Sequence, residues 1–401
     1  MKNGLLTLAL SLGMITGATA QNREISFKEA DWKTQLATAK KEKKIIFFDA
    51  YTSWCGPCKM MAKDVFTKDN VADLFNQTFL NVKYDMEKGE GPALKDKYGV
   101  SAYPTYLFVN GDGEVVHKIV GSMSASEFME EAKKALNPES TAFGLAKKFN
   151  GGDHSEATAV AYMEALEKAY ESDKMGAVAK VYFDGLPKAS LMEDKNWNII
   201  LKYLNNPAAQ SFAYLYVNKA ELEKKHGVEK VNMYFQRTMN MSVYSIKRAY
   251  EKKTDLKEAS EKATAIRKLL SNGTDYSKPM LAQLDLIEFA AANKWDKFIA
   301  NVEAIQADAD FKNKINFVIG AANDLVTAAP AQYYKHALSW ADQIERNNPN
   351  LFASIQLADL RKRTLKKQGK TAEAEVMATK AQDLRKEASQ KGQMTPPMMK
   401  D

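Results

Sequence analysis

The chain is poor in the groups that usually carry chemistry. It has two cysteines and four histidines in 401 residues. Both cysteines fall in one place, Trp54-Cys55-Gly56-Pro57-Cys58-Lys59. With no third or fourth thiol, the protein has neither a structural disulfide elsewhere nor an internal relay thiol, so electrons for this pair must come from a separate partner. A bridge over so short a loop removes little unfolded-chain entropy and is a weak staple. Reversible redox chemistry is the economical use of two thiols this close.

The other shortages narrow the function further. A zinc half-site is the alternative reading of Cys-x-x-Cys, but zinc needs two more good ligands. His117, His154, His226 and His336 are scattered and unpaired at ligand spacing, so no metal is expected. The 18 methionines are spread at helical spacing rather than clustered, which suits core filling rather than a copper site. No glycine-rich loop that would cradle phosphate is present, so no nucleotide cofactor is expected. Charge is not biased to one sign: 57 basic residues face 50 acidic ones, interleaved along the chain. A nucleic-acid binder would carry a basic face set with aromatics, and none is visible.

No apolar run is long enough to span a bilayer as a mature helix. The longest, Leu5 to Ile15, follows Lys2 and precedes Ala18-Thr19-Ala20, the layout of a secretory signal with its small-residue cleavage site. The expectation is a signal peptide over 1–20 and a mature chain from about Gln21. No cysteine follows that site, so no lipid anchor is expected. The expected location is beyond the inner membrane, in the periplasm, where disulfides persist.

Residues 21–137 alternate strand and helix signals. Helical spacing over Asp31–Lys41 is followed by Ile45-Ile46-Phe47-Phe48, an unbroken apolar run that fits a central strand buried on both faces. The Cys-Gly-Pro-Cys segment opens a helix through Met61 and Val65. Phe79–Tyr84 reads as a strand and Pro92–Tyr98 as a helix. Thr105–Asn110 and Glu114–Val120 read as a hairpin around Gly111-Asp112-Gly113. Ser124–Leu136 reads as an amphipathic helix stopped by Asn137-Pro138.

From about Thr141 the strand signals vanish. Helices are predicted over Glu156–Glu171, Met175–Leu186, Ser211–Lys224, Leu256–Leu270, Pro279–Ala292, Lys297–Ala307, Ala331–Arg346, Leu351–Lys367 and Thr371–Lys391. Short connections imply antiparallel neighbours. The last pairs resemble tetratricopeptide repeats, without one strict period. The expectation is an irregular all-α array over 140–391 and a disordered tail over 392–401.

Residue chemistry at the cysteines can be argued directly. Cys55 would precede a helix, where unpaired N–H groups and the helix dipole stabilise a thiolate. The thiolate is the attacking species in disulfide exchange, so Cys55 is the nucleophile. Cys58, one turn in, would be shielded and would resolve the mixed disulfide. Pro57 suits a helix start because its missing N–H costs nothing there. Gly56 leaves the approach open.

Residues 44–121 resemble a thioredoxin-family domain. The resemblance is carried by Phe48-Asp49-Ala50-Tyr51-Thr52-Ser53-Trp54-Cys55-Gly56-Pro57-Cys58-Lys59, by Ala102-Tyr103-Pro104-Thr105, and by Gly121. The Thr-Ser-Trp-Cys lead-in and Asp69-Asn70-Val71 look most similar to secreted thioredoxin-like proteins and to the soluble end domains of bacterial membrane thiol reductases. The implied fold is a central mixed sheet flanked by helices, an α/β domain followed by the all-α array. Asp49, six residues before Cys55, is either a strand-end aspartate turned to solvent or a buried acid. The resemblance implies the buried acid, whose raised pKa suits it to take a proton from Cys58. It also implies that Lys83 lies near Asp49, and that Pro104 is cis and presents the backbone of Tyr103 to a substrate strand. Tyr103 is bulkier than is usual before this proline. Trp54 and Tyr51 are candidates for the rim, or for the core.

The resulting expectation is an exported thiol–disulfide oxidoreductase that reduces protein disulfides, uses no cofactor beyond the Cys55–Cys58 pair, and is recharged by a membrane thiol reductase. Two other readings stand beside it: a disulfide isomerase or chaperone-like factor, and an envelope scaffold in which the helical array is the main functional part.

Overall fold

The computed structural model describes residues 23–271, 273, 277–347 and 349–397. The expected signal peptide and its cleavage site lie outside these residues. Contacts divide the chain into two compact units, one ending at Tyr182 and one beginning at Phe183.

The first unit opens with α1 (Trp32–Glu42), β1 (Ile46–Tyr51), α2 (Gly56–Asp64), α3 (Asp69–Thr78) and β2 (Leu80–Asp85). It continues with α4 (Gly91–Lys97), β3 (Thr105–Val109), β4 (Val115–Val120) and α5 (Ala125–Leu136). The four strands form one sheet in the order β2-β1-β3-β4, with β1 parallel to β2 and antiparallel to β3. β1 is central, so both its faces are dry. Phe47 packs with Met61, Phe66, Phe75, Tyr106 and Phe128 on one side, and Phe48 with Trp32, Leu94 and Leu107 on the other. That double burial is why Ile46–Phe48 is apolar without alternation.

Local chemistry sets the element ends. Asp31 caps α1 by accepting the N–H of Thr34 at 2.9 Å. Ser124 and Glu127 form a reciprocal capping box on α5. The β3–β4 turn needs its glycines. Gly113 sits at φ +83°, and a Cβ on Gly111 would lie 2.6 Å from the Cα of Lys40 in α1. Helix α3 was not expected from the sequence. It has a strong apolar stripe in Val71, Ala72 and Phe75, but it follows α2 after one short turn and has no side-chain cap to announce it.

Three further helices follow: α6 (Ala142–Asn150), α7 (Glu156–Lys168) and α8 (Ser172–Gly185), within which the first unit ends. Both α6 and α7 pack against β4, the strand at the sheet edge, and so cover a row of backbone groups that would otherwise invite pairing. The contact boundary at Tyr182 therefore comes later than the change in sequence character at 137–140. Glu131 on α5, 2% exposed, joins the layers. It meets His117 Nε2 on β4 at 2.9 Å, Lys134 Nζ at 3.0 Å, and Lys168 Nζ on α7.

The second unit is helical throughout its described elements. It holds α9 (Asp194–Tyr203), α10 (Gln210–Val217), α11 (Lys219–His226), α12 (Val228–Lys252), α13 (Leu256–Leu270) and α14 (Ser277–Ala291). Then come α15 (Trp295–Ala307), α16 (Lys314–Ala328), α17 (Tyr334–Arg346), α18 (Leu351–Lys367) and α19 (Thr371–Gln390). The single helix expected over 211–224 is two, parted at Asn218, whose side-chain amide donates to the carbonyl of Tyr214. Helices α6, α9, α12 and α16 were not expected. In α12 the buried stripe includes Thr238 and Ser242, which break the apolar pattern. α16 carries Gly320 and several β-branched residues, poor helix formers that its packing in the core overrides. Lengths run from 8 to 25 residues, so the array is irregular. Residues 392–397 are turn and irregular backbone with Pro396 buried, and 398–401 lie outside the described residues. Among the described residues, no helix is long and apolar enough to cross a membrane.

Candidate functional site

The site forms where β1 leaves the sheet and turns into α2. The carbonyl of Thr52 accepts the N–H of Cys55 at 3.2 Å and fixes the turn. Cys55 is the residue that caps α2, Gly56 and Pro57 are its first two helical positions, and Cys55 and Cys58 are joined in a disulfide. The Cys55 sulfur accepts the backbone N–H of Cys58 at 3.1 Å. A sulfur at this point receives an otherwise unpaired helix donor and the positive end of the dipole, both of which favour a thiolate when the bridge opens. Exposure does not separate the two thiols in the bridged state: Cys55 is 2% and Cys58 8% exposed. The distinction rests on the capping position. A Cβ on Gly56 would meet nothing within 4 Å, so the surface at Gly56, beside the buried bridge, is open.

Two aromatic residues frame it. Trp54 is 64% exposed. Its indole N–H donates to the Glu87 carboxylate, 3.0 Å from each oxygen, and its ring meets Tyr103 edge-on at 6.0 Å. The Tyr103–Pro104 peptide bond is cis. The Pro104 carbonyl accepts the N–H of Gly121 at 2.9 Å, and Thr105 Oγ1 donates to the carbonyl of Ala102 at 2.8 Å. The backbone of Tyr103 makes no hydrogen bond among the described residues.

Asp49 lies inside the domain, on the strand that leads to the disulfide. It shares a face of β1 with Phe47, the face that α2 covers through Met61. Its register partners are Lys83 on β2 and Tyr106 on β3. It is 7% exposed, and its Oδ1 has no hydrogen-bond partner. Burial pushes its carboxyl up to about 7, against the opposing pull of the Lys83 ammonium. The Tyr106 hydroxyl is also buried without a partner, and burial with the nearby Asp49 charge raises it. Tyr51, at the end of β1, is partly exposed, and burial raises its phenol together with the charges of Asp85 and Asp49.

The structure thus gathers Asp49, Lys83, Cys55, Cys58, Trp54, Tyr103 and Pro104 around one end of the sheet. Sequence reasoning missed Glu87, Tyr106 and Phe27, whose ring lies 5.0 Å from the Lys83 ammonium. Tyr106 could have been found only from the pairing register. Glu87 and Phe27 carry no motif at all. Among the described residues, no three or more histidine, cysteine, aspartate or glutamate side chains gather as a metal site.

Comparison with known proteins matches residues 31–136 to the family model described as thioredoxin-like domain. Thioredoxin H4 of Arabidopsis thaliana is 37% identical over 91 residues, 23% of this chain and 71% of that one. The thiol:disulfide interchange protein DsbD of Pseudoalteromonas atlantica is 27% identical over 139 residues, 33% of this chain and 24% of that one. Among solved structures, a candidate disulphide-isomerase from Bacteroides thetaiotaomicron is 48% identical, covering 29% of this chain and 98% of its own, with a TM-score of 0.28.

Proposed function

This chain belongs to the thioredoxin family, its residues 31–136 forming a thioredoxin-like thiol–disulfide oxidoreductase domain, and we propose that it is an exported reductase of protein disulfides. The observation that carries the reading is the Cys55 sulfur at the N-terminus of α2, bonded to the N–H of Cys58 at 3.1 Å. In the reduced protein that position makes Cys55 the thiolate. It attacks one sulfur of a client disulfide, and the other client sulfur leaves as a thiolate. The Cys58 thiol then passes its proton to Asp49 and its sulfur attacks Cys55, releasing the second client thiolate. The client gains two electrons and Cys55–Cys58 becomes the bridge again. The unbonded backbone of Tyr103, next to Pro104, is placed to pair with the client strand, and Trp54 and Tyr103 wall the groove.

Export to the periplasm is supported by the N-terminal leader pattern. In an oxidising compartment a reductase needs a donor, and with no third thiol in the chain that donor is a separate dithiol protein, in this reading a membrane thiol reductase. The similarity to a protein named for thiol:disulfide interchange is in keeping with that supply.

The test is the reduction potential of the Cys55–Cys58 pair, measured by equilibration with thiol buffers. A value near about −270 mV is expected for a reductant, whereas one near about −120 to −180 mV would assign an oxidase or isomerase instead. Cys58→Ser should in addition accumulate client proteins as mixed disulfides on Cys55.

A further inference from the structure

We propose that Phe27, on the segment preceding α1, is a positioning residue for proton transfer at Asp49: its ring holds the Lys83 ammonium beside that carboxylate. The inference rests on the reading above that Asp49 takes the Cys58 proton.

Lys83 has reason to wander. It is exposed, it makes no salt bridge among the described residues, and it borders an open cleft of about 580 Å3 also lined by Glu24, Lys28, Glu29, Tyr51 and Tyr84. A free lysine there would spend time in water or toward Glu24 and Glu29. Instead its ammonium sits over the face of Phe27, 5.0 Å from the ring centre, where the ring's electron density attracts a cation. The ring is itself anchored. It packs against Phe47 at 6.2 Å and Phe66 at 6.0 Å. The chain is pinned on both sides of it, by Ile25 N–H to the Phe66 carbonyl at 3.0 Å and by Lys28 N–H to the Asn81 carbonyl at 2.8 Å.

The held charge faces Asp49 across adjacent strands. The two residues are register partners on β1 and β2, in strands about 4.8 Å apart. The other titratable groups coupled to the carboxyl are Tyr106 on β3 and Tyr51 on its own strand. Lys83 is the cation among them and opposes the effect of burial on Asp49. Releasing it makes the carboxylate harder to form. Phe27 therefore sets how readily Asp49 is ionised, and so ready to receive the Cys58 proton, at neutral pH.

The experiment is a carbon-13 NMR titration of the Asp49 carboxyl in the full-length oxidised protein, where the bridged cysteines do not titrate. Phe27→Leu and Phe27→Met should each raise the Asp49 midpoint by about half a pH unit. Phe27→Tyr should leave it in place. Lys83→Met should raise it further, and adding Phe27→Leu to Lys83→Met should add nothing. An unchanged midpoint in both ring-less variants, or a shift of the same size with Lys83 already removed, would overturn the proposal, since the ring would then not act through the lysine. The readout involves no client, so it is distinct from a failure of the reductase reading, which shows in the potential and in the trapped adducts.

Discussion

Burial of the Asp49 carboxyl costs stability wherever the group is ionised. The folded domain keeps its proton up to about pH 7, while an unfolded chain releases it near the ordinary aspartate value. As pH rises through that window the unfolded state ionises first, so the native state loses stability until both forms are charged. Asp49→Asn should therefore raise stability at pH 8 by about 4 kcal/mol and change little at pH 3, measured by urea denaturation at the two pH values. The same variant should slow release of mixed disulfides, and the slowing should be greatest above pH 7, where the native carboxylate would accept the proton. At this scale the sequence offered the pair Cys55 and Cys58 and the spacing to Asp49. It did not offer Tyr106 or Phe27, because neither residue type nor spacing marks a side chain that matters only through what stands opposite it.

The elements are held by caps and by cross-layer contacts, and these respond differently to change. Burial of Glu131 would raise its carboxyl, but hydrogen bonds from His117, Lys168 and Lys134 outweigh that and bring it to about 2. Its contribution is complete above the ordinary glutamate value and fades as pH falls toward 2. Glu131→Gln should cost about 3 kcal/mol at pH 7, with the gap between variant and parent closing as denaturation is repeated at successively lower pH. Gly111→Ala acts by volume instead. Its Cβ would collide with the α1 backbone at Lys40, and a cost of about 1–3 kcal/mol with no pH dependence is expected. The capped helices α1 and α5, and β1 with its unbroken apolar run, were legible in the sequence. α12 and α16 were not, since Thr238 and Ser242 interrupt the apolar stripe of α12, and Gly320 with several β-branched residues lowers the helix propensity of α16.

For the molecule as a whole, the unit that carries the site reaches beyond the thioredoxin-like match. The match ends at residue 136, but α6 and α7 cover β4, and Lys168 and Glu171 reach Glu131 on α5 and Lys118 on β4. A fragment of residues 23–185 should keep the reduction potential and thermal transition of the corresponding unit in the full chain. One ending at residue 137 should melt lower by at least about 5 °C, because the edge strand is uncovered and Glu131 loses Lys168. Calorimetry of the two fragments decides this, and equal transitions would show that α6 and α7 add nothing to the domain.

The sequence by itself determined the chemistry available: one dithiol at a helix start, no other thiol to relay electrons, a central apolar strand, and a helical second half. These are local properties, written in spacing, caps and composition over a few residues. Only the tertiary structure decided how strongly Asp49 holds its proton, which ring lies under the lysine opposite it, and how far the redox unit extends. Each of those depends on strand register, and on water excluded jointly by residues far apart in the chain. Phe27, Asp49, Lys83 and Tyr106 meet in space although no short motif contains them, so their shared electrostatics arises only on folding.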